Sequence, residues 1–201
     1  MTTTTLSKIA RTLRGASRIA IVTHISPDPD AIGSALGLMH ALVALGKEVV
    51  PLCDDDIPAE LLFLPGVEII HRTLPDCLKP DVAVALDASD PERLGTFASF
   101  VTDDVPLVVI DHHVTNLEYG SLNLVEPAAA ATAELLVEVV DRLGAPLSGE
   151  VATCLATGLV GDTRSFSIPG VTPNTLRVGA RLVEAGAPPA SITGRGMETP
   201  T

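Results

Sequence analysis

The sequence predicts an α/β protein: a parallel β-sheet flanked by helices, followed by a mostly helical segment. Three observations carry this prediction. Residues 19–22, 81–87 and 105–110 are apolar almost throughout, as strands buried on both faces of a parallel sheet are. Stretches with apolar residues at helical spacing alternate with them, the pattern of βαβ units with right-handed crossovers. Histidines and aspartates gather where those runs end, and open parallel sheets bind ligands outside the carboxyl ends of their strands.

The elements follow in order. Residues 6–16 carry Leu6, Ile9, Ala10 and Leu13 on one helical face, with Lys and Arg between them. Residues 18–23 form the first strand. The next helix spans 31–45, with Ile32, Leu36, Met39, Leu42, Val43 and Leu45 as its buried stripe and Gly46 as a C-terminal cap. A second strand occupies 49–52. Asp54, Asp55 and Asp56 then read as a solvated loop, residues 59–63 as a short helical turn and 67–71 as a short strand. The apolar runs 81–87 and 105–110 are the next strands. Beyond them come helices over 132–143, 149–160 and 172–185, the last opening with Thr172 as cap and Pro173 at the first helical position. Residues 1–190 read as one domain and 191–201 as a tail.

Composition narrows the function. Of the 201 residues 46% are hydrophobic, enough for a real core. No run of 18 apolar residues marks a membrane span, and the Thr-rich start lacks the basic and apolar regions of a signal peptide. Cys53, Cys77 and Cys154 have no metal-type spacing and are odd in number, so the expectation is a reduced, cytoplasmic protein. A net charge of −12 and an aromatic content of 2% argue against holding long nucleic acid by phosphate contacts or base stacking. The sequence leaves homodimer formation open.

The chemistry-bearing residues stand at element ends. His24, Asp28 and Asp30, spaced His-x3-Asp-x-Asp, lie in a strand-to-helix turn stiffened by Pro27 and Pro29. One nitrogen and two hard oxygen donors suit a divalent ion such as Mn, ahead of Mg, Co or Zn. Asp87 closes one buried strand, Asp111-His112-His113 closes another, and Asp162 follows Gly-Leu-Val-Gly. Taken singly, each is also ordinary turn or helix-cap chemistry. Taken together, they should converge at one sheet edge, where buried charges require an ion or a partner. Two divalent ions could be held there, clamping a phosphoryl group. His40 and His71 lack an acidic pattern and read as structural.

The segments H-I-S-P-D-P-D-A-I-G-S, A-L-D-A-S-D, V-I-D-H-H and G-L-V-G-D-T resemble the motifs of the DHH phosphoesterase superfamily, over roughly residues 6–189. N-L-V-E-P at 123–127, A-T-A-E at 131–134 and T-P-N-T-L-R at 172–177 resemble its NrnA-like group of bifunctional oligoribonucleases and pAp phosphatases. The resemblance implies two Mn ions: the first on His24, Asp28 and Asp87, the second on Asp30, Asp87, His112 and Asp162. It places His113 against the scissile phosphate, with Asp111 orienting an imidazole or a metal water. The implied reaction is in-line attack by an activated water on short oligoribonucleotides, dinucleotides or 3′,5′-bisphosphate nucleosides.

Members of that group carry a C-terminal domain with a Gly-rich, His-containing substrate loop. No such loop is found in these 201 residues, so a single catalytic domain is expected. Arg164 stands where a small residue is expected and is a candidate phosphate contact. Two other readings share the ligand logic: a manganese inorganic pyrophosphatase, and a non-catalytic module that binds metal and nucleotide.

Overall fold

A computed structural model describes residues 3–75, 78–101 and 104–188. Helix α1 (Thr3–Gly15) leads into strand β1 (Arg18–Val22), helix α2 (Pro29–Ala44) and strand β2 (Glu48–Leu52). Strands β3 (Val82–Leu86), β4 (Leu107–Asp111) and β5 (Leu122–Val125) follow, then helices α3 (Thr132–Leu143), α4 (Gly149–Asp162) and α5 (Pro173–Glu184). The five strands form one parallel sheet in the order β2-β1-β3-β4-β5. The chain winds outward from β1 to β2, then returns across β1 to β3. The winding reverses between these neighbours, and their carboxyl ends flank the crevice such a reversal opens.

The two sheet faces are covered differently. Ile19, Ile21, Val84, Leu86, Val108 and Ile110 pack beneath the helices with Ile9, Leu13, Leu36 and Leu135. The opposite face presents Ala20, Val22, Ala83, Ala85 and Val109 to Leu94, Phe97 and Phe100, which lie on a kinked 3-10 stretch, Pro91–Val101. Small residues on that face let a thin layer of chain close it.

Helices α2 and α4 approach too closely for side chains at the crossing. A Cβ on Gly33 would collide with the Cys154 carbonyl, and one on Gly158 would fall 2.7 Å from Asp30 Oδ1. The glycines therefore set how deeply Asp30 sits beside α4.

Several element boundaries differ from the sequence reading. Residues 67–71 are not a strand: Gly66, at φ 82, turns the chain left-handed into a 3-10 turn, Val67–Ile69. His71 alone extends the sheet, by a single parallel bridge to Leu52. Strand β5 was not anticipated; its four residues are too short to show a period. Pro29 begins α2 and Asp162 ends α4, so Asp30 and Asp162 are helical residues. The expected tail, 191–201, and Cys77 lie outside the described residues. No helix among the described residues is long and apolar enough to cross a membrane.

Candidate metal centre

The β1–α2 turn supplies the first donors. His24 is 2% exposed, and its Nδ1 lies 2.7 Å from the Ile25 carbonyl. A carbonyl can only accept, so Nδ1 carries a hydrogen and Nε2 is the nitrogen turned to the crevice. Nε2 stands 3.6 Å from both Asp28 Oδ2 and Asp87 Oδ2. Burial lowers the His24 pKa, but these two carboxylates outweigh it and hold the imidazole at about 10. Asp28 divides its carboxylate: Oδ1 caps α2, accepting the N–H groups of Asp30 and Ala31 at 3.0 Å each, while Oδ2 faces His24. Burial would raise Asp28; the His24 ring and the two N–H groups prevail and lower it.

Asp30 is completely buried in the first turn of α2. Its Oδ2 accepts the Thr132 N–H at 2.6 Å, and its Oδ1 accepts the Ala133 N–H at 3.0 Å and the Ser34 hydroxyl at 3.1 Å. The N-cap of α3, Ala131, has no side-chain cap of its own, so Asp30 caps α3 from a neighbouring helix. Burial, then the adjacent Asp87 and Asp162, push its pKa well above the carboxylate range, against the pull of His112 and the Ala133 N–H.

Asp87 follows β3 in the left-handed region, φ 58, at a backbone cost of roughly 1–2 kcal/mol for a non-glycine residue. That conformation turns its carboxylate into the crevice at 1% exposure. Oδ2 faces His24, while Oδ1 accepts the Thr132 hydroxyl at 2.8 Å and lies 3.6 Å from His112 Nε2. Its two oxygens thus address different imidazoles.

Strand β4 ends in Asp111, fully buried. Asp111 Oδ1 lies 2.7 Å from His113 Nδ1 and accepts the N–H groups of His112 and His113, and Oδ2 accepts the Asn116 amide at 2.6 Å. Burial would raise Asp111, yet His113 and Asn116 lower it. The same contact raises His113, whose side chain is 42% exposed. With Nδ1 held by Asp111, Nε2 is the nitrogen left for a ligand. His112 sets Nδ1 at 3.3 Å from the Ala129 carbonyl. Its Nε2 lies 3.0 Å from Asp162 Oδ2 but out of line for a hydrogen bond, so it is buried without one. Burial lowers His112, and Asp162, Asp30 and Asp87 together lift it to about 9.

Three groups of donor atoms result, each with its atoms within 4.8 Å of one another: His24, Asp28 and Asp87; Asp30, His112 and Asp162; and Asp87, Asp111, His112 and His113. Carboxylates packed this closely repel, and only protonation or a cation relieves them. The donor set of imidazoles and carboxylates, with a buried His112 Nε2 that makes no hydrogen bond, fits divalent ions. All eight histidines and aspartates singled out in the sequence meet here. Arg164 does not join them: it is exposed, at φ 47, in a left-handed turn just after α4, and its guanidinium has no ion pair among the described residues.

Sequence reasoning missed the supports. Thr132 and Ser34 stand inside the quoted motifs with no role assigned to them, and Asn116 lies outside the motifs, since a Thr, Ser or Asn near a helix or turn end reads first as a cap. Asp54 and Asp55 were expected to be solvated, and they brace the site's loops: Asp54 accepts the Thr96 N–H at 3.0 Å and Asp55 accepts the Ser26 N–H at 2.7 Å. His40 is structural as expected, its Nε2 2.9 Å from the Pro65 carbonyl.

Residues 18–159 match the DHH family, N-terminal domain. The bifunctional oligoribonuclease and PAP phosphatase NrnA of Thermus thermophilus is 40% identical over 177 residues, covering 88% of this chain and 53% of its own length. The chain spans about half the length of the curated relatives it matches. An exopolyphosphatase-related protein from Bacteroides fragilis superposes with a TM-score of 0.90 at 26% identity, over 98% of this chain and 61% of that one. A structure of the exonuclease RecJ bound to manganese shares the fold at TM-score 0.52 and 21% identity, over 90% of this chain and 46% of that one.

Proposed function

This chain belongs to the DHH family, and we propose that it is a metal-dependent phosphoesterase acting on short oligoribonucleotides, dinucleotides or 3′,5′-bisphosphate nucleosides. One observation carries the reading: Asp87 lies between two imidazole–carboxylate groups, and its two oxygens face His24 on one side and His112 on the other. On this reading His24, Asp28 and Asp87 hold one divalent ion, and Asp30, Asp87, His112 and Asp162 hold a second. These imidazole and carboxylate donors would suit Mn, and two such ions, when bound, would supply an activated water and offset the phosphoryl charge.

The chain's own groups do the rest. His113, its pKa raised by Asp111, donates from Nε2 to the phosphate or to the leaving oxygen. Asp111 orients that ring and is itself fixed by Asn116. Arg164, close in sequence to Asp162, offers its guanidinium to a second phosphate. The RecJ neighbour's manganese and the Thermus relative's oligoribonuclease and phosphatase activities support the metal and the substrate class. Buried, unbridged Cys53 and Cys154 support a cytoplasmic location. Residues 1–190 act as the catalytic unit.

The test is hydrolysis by the purified chain, with Mn, of pApA, pAp, a short RNA and pyrophosphate side by side. Release of AMP from the nucleotides is expected. Turnover of pyrophosphate alone would make the chain a pyrophosphatase. Mn binding with no turnover of any of the four would make it a binding module.

A further inference from the structure

We propose that the first turn of α3 is part of the metal machinery, with Thr132 as the positioning residue that ties the two ion sites together. This inference rests on the two-ion reading above. Thr132 touches a carboxylate assigned to each ion: its N–H donates to Asp30 Oδ2 at 2.6 Å, and its hydroxyl donates to Asp87 Oδ1 at 2.8 Å. All three residues are 1% exposed or less.

The lone pairs of Asp30 are nearly all engaged. Its Oδ1 already accepts from Ala133 and Ser34, so both lone pairs of that oxygen are used. Oδ2 accepts from Thr132, which leaves one lone pair and fixes its direction. Asp87 sits on a left-handed backbone, and its neighbours His24, His112 and His113 stand 3.6 Å away, beyond hydrogen-bond range. The Thr132 hydroxyl therefore sets the rotation of the bridging carboxylate.

The turn is itself anchored. Glu134, 3% exposed, accepts from the Ala130 N–H, the Asn174 amide and the Thr175 hydroxyl at 3.0, 2.7 and 2.9 Å. It thus ties the start of α3 to the start of α5, where no metal donor lies.

Thr132→Val removes the donated hydrogen and keeps the shape and the N–H; Thr132→Ser keeps the hydroxyl. Mn affinity and stoichiometry are measured by calorimetry on wild type and both variants, with thermal unfolding of each without metal. Thr132→Val is expected to weaken Mn binding about 10–100-fold, with a loss of metal-free stability because a buried carboxylate loses its donor, and Thr132→Ser to stay within about threefold of wild type in Mn affinity by retaining the hydroxyl donor. Wild-type affinity and stoichiometry in Thr132→Val would overturn the inference and leave the two-ion reading standing. A wild-type chain that binds no divalent ion would overturn both. Should Thr132→Val not fold, Thr132→Ala carries the same comparison: weakened Mn binding supports the inference, and wild-type binding overturns it.

Discussion

Raising the pH from 6 to 8 should tighten Mn binding steeply, by an amount the imidazoles set. Without an ion, the facing carboxylates hold His24 at about 10 and His112 at about 9, against 6.5 for a free imidazole. Both rings are then protonated throughout this window, and each ion must displace a proton to reach its nitrogen. One proton per ion means roughly a tenfold gain in affinity per pH unit, so about 100-fold per ion between pH 6 and 8. The stability of the metal-free chain runs the other way. A raised histidine pKa stabilises fully below 6.5 and loses that contribution as the pH climbs towards 9 and 10. Calorimetry in two buffers of different ionisation enthalpy gives affinity and proton release together. A flat affinity with no protons released would refute the reasoning, because the imidazoles would then be neutral already in the metal-free site or would not be ligands.

Other perturbations separate the parts. Asp87→Ala should abolish binding of both ions and reduce turnover to background; near-wild-type turnover would remove the bridging assignment. Gly158→Ala drives a methyl to 2.7 Å from Asp30 Oδ1 and 3.0 Å from Ala133 Cβ, so denaturant unfolding should show a loss of about 1–3 kcal/mol, with weaker Mn binding. Asp111→Asn removes the carboxylate that raises His113, so the alkaline fall of the pH–rate profile should move to lower pH. Asp56→Ala breaks an exposed pair with Arg72 and should change stability by less than about 1 kcal/mol, with activity intact.

The sheet and the histidines and aspartates gathered at its edge were legible because they follow repeating physical rules. Strands buried on both faces are apolar throughout, and β1, β3 and β4 stand out for that reason. A carboxylate or imidazole where such a run ends is costly unless used, which marks Asp87 and Asp111. What stayed hidden depends on distant partners. Thr132 and Asp30 lie 102 residues apart in the chain, and no local pattern links them. Residues 67–71 have strand-like composition, yet the left-handed Gly66 and one edge bridge decide their path. Asp54 and Asp55 look solvated by charge alone, and only the folded loops reveal the N–H groups they accept.

The most direct test of the central claim is anomalous diffraction from crystals of this chain soaked in Mn. Two peaks are expected on opposite sides of the Asp87 carboxylate, roughly 3.5–4 Å apart. One should lie against His24 and Asp28, the other against Asp30, His112 and Asp162. A single peak, or peaks that leave Asp87 uncoordinated, would contradict the account.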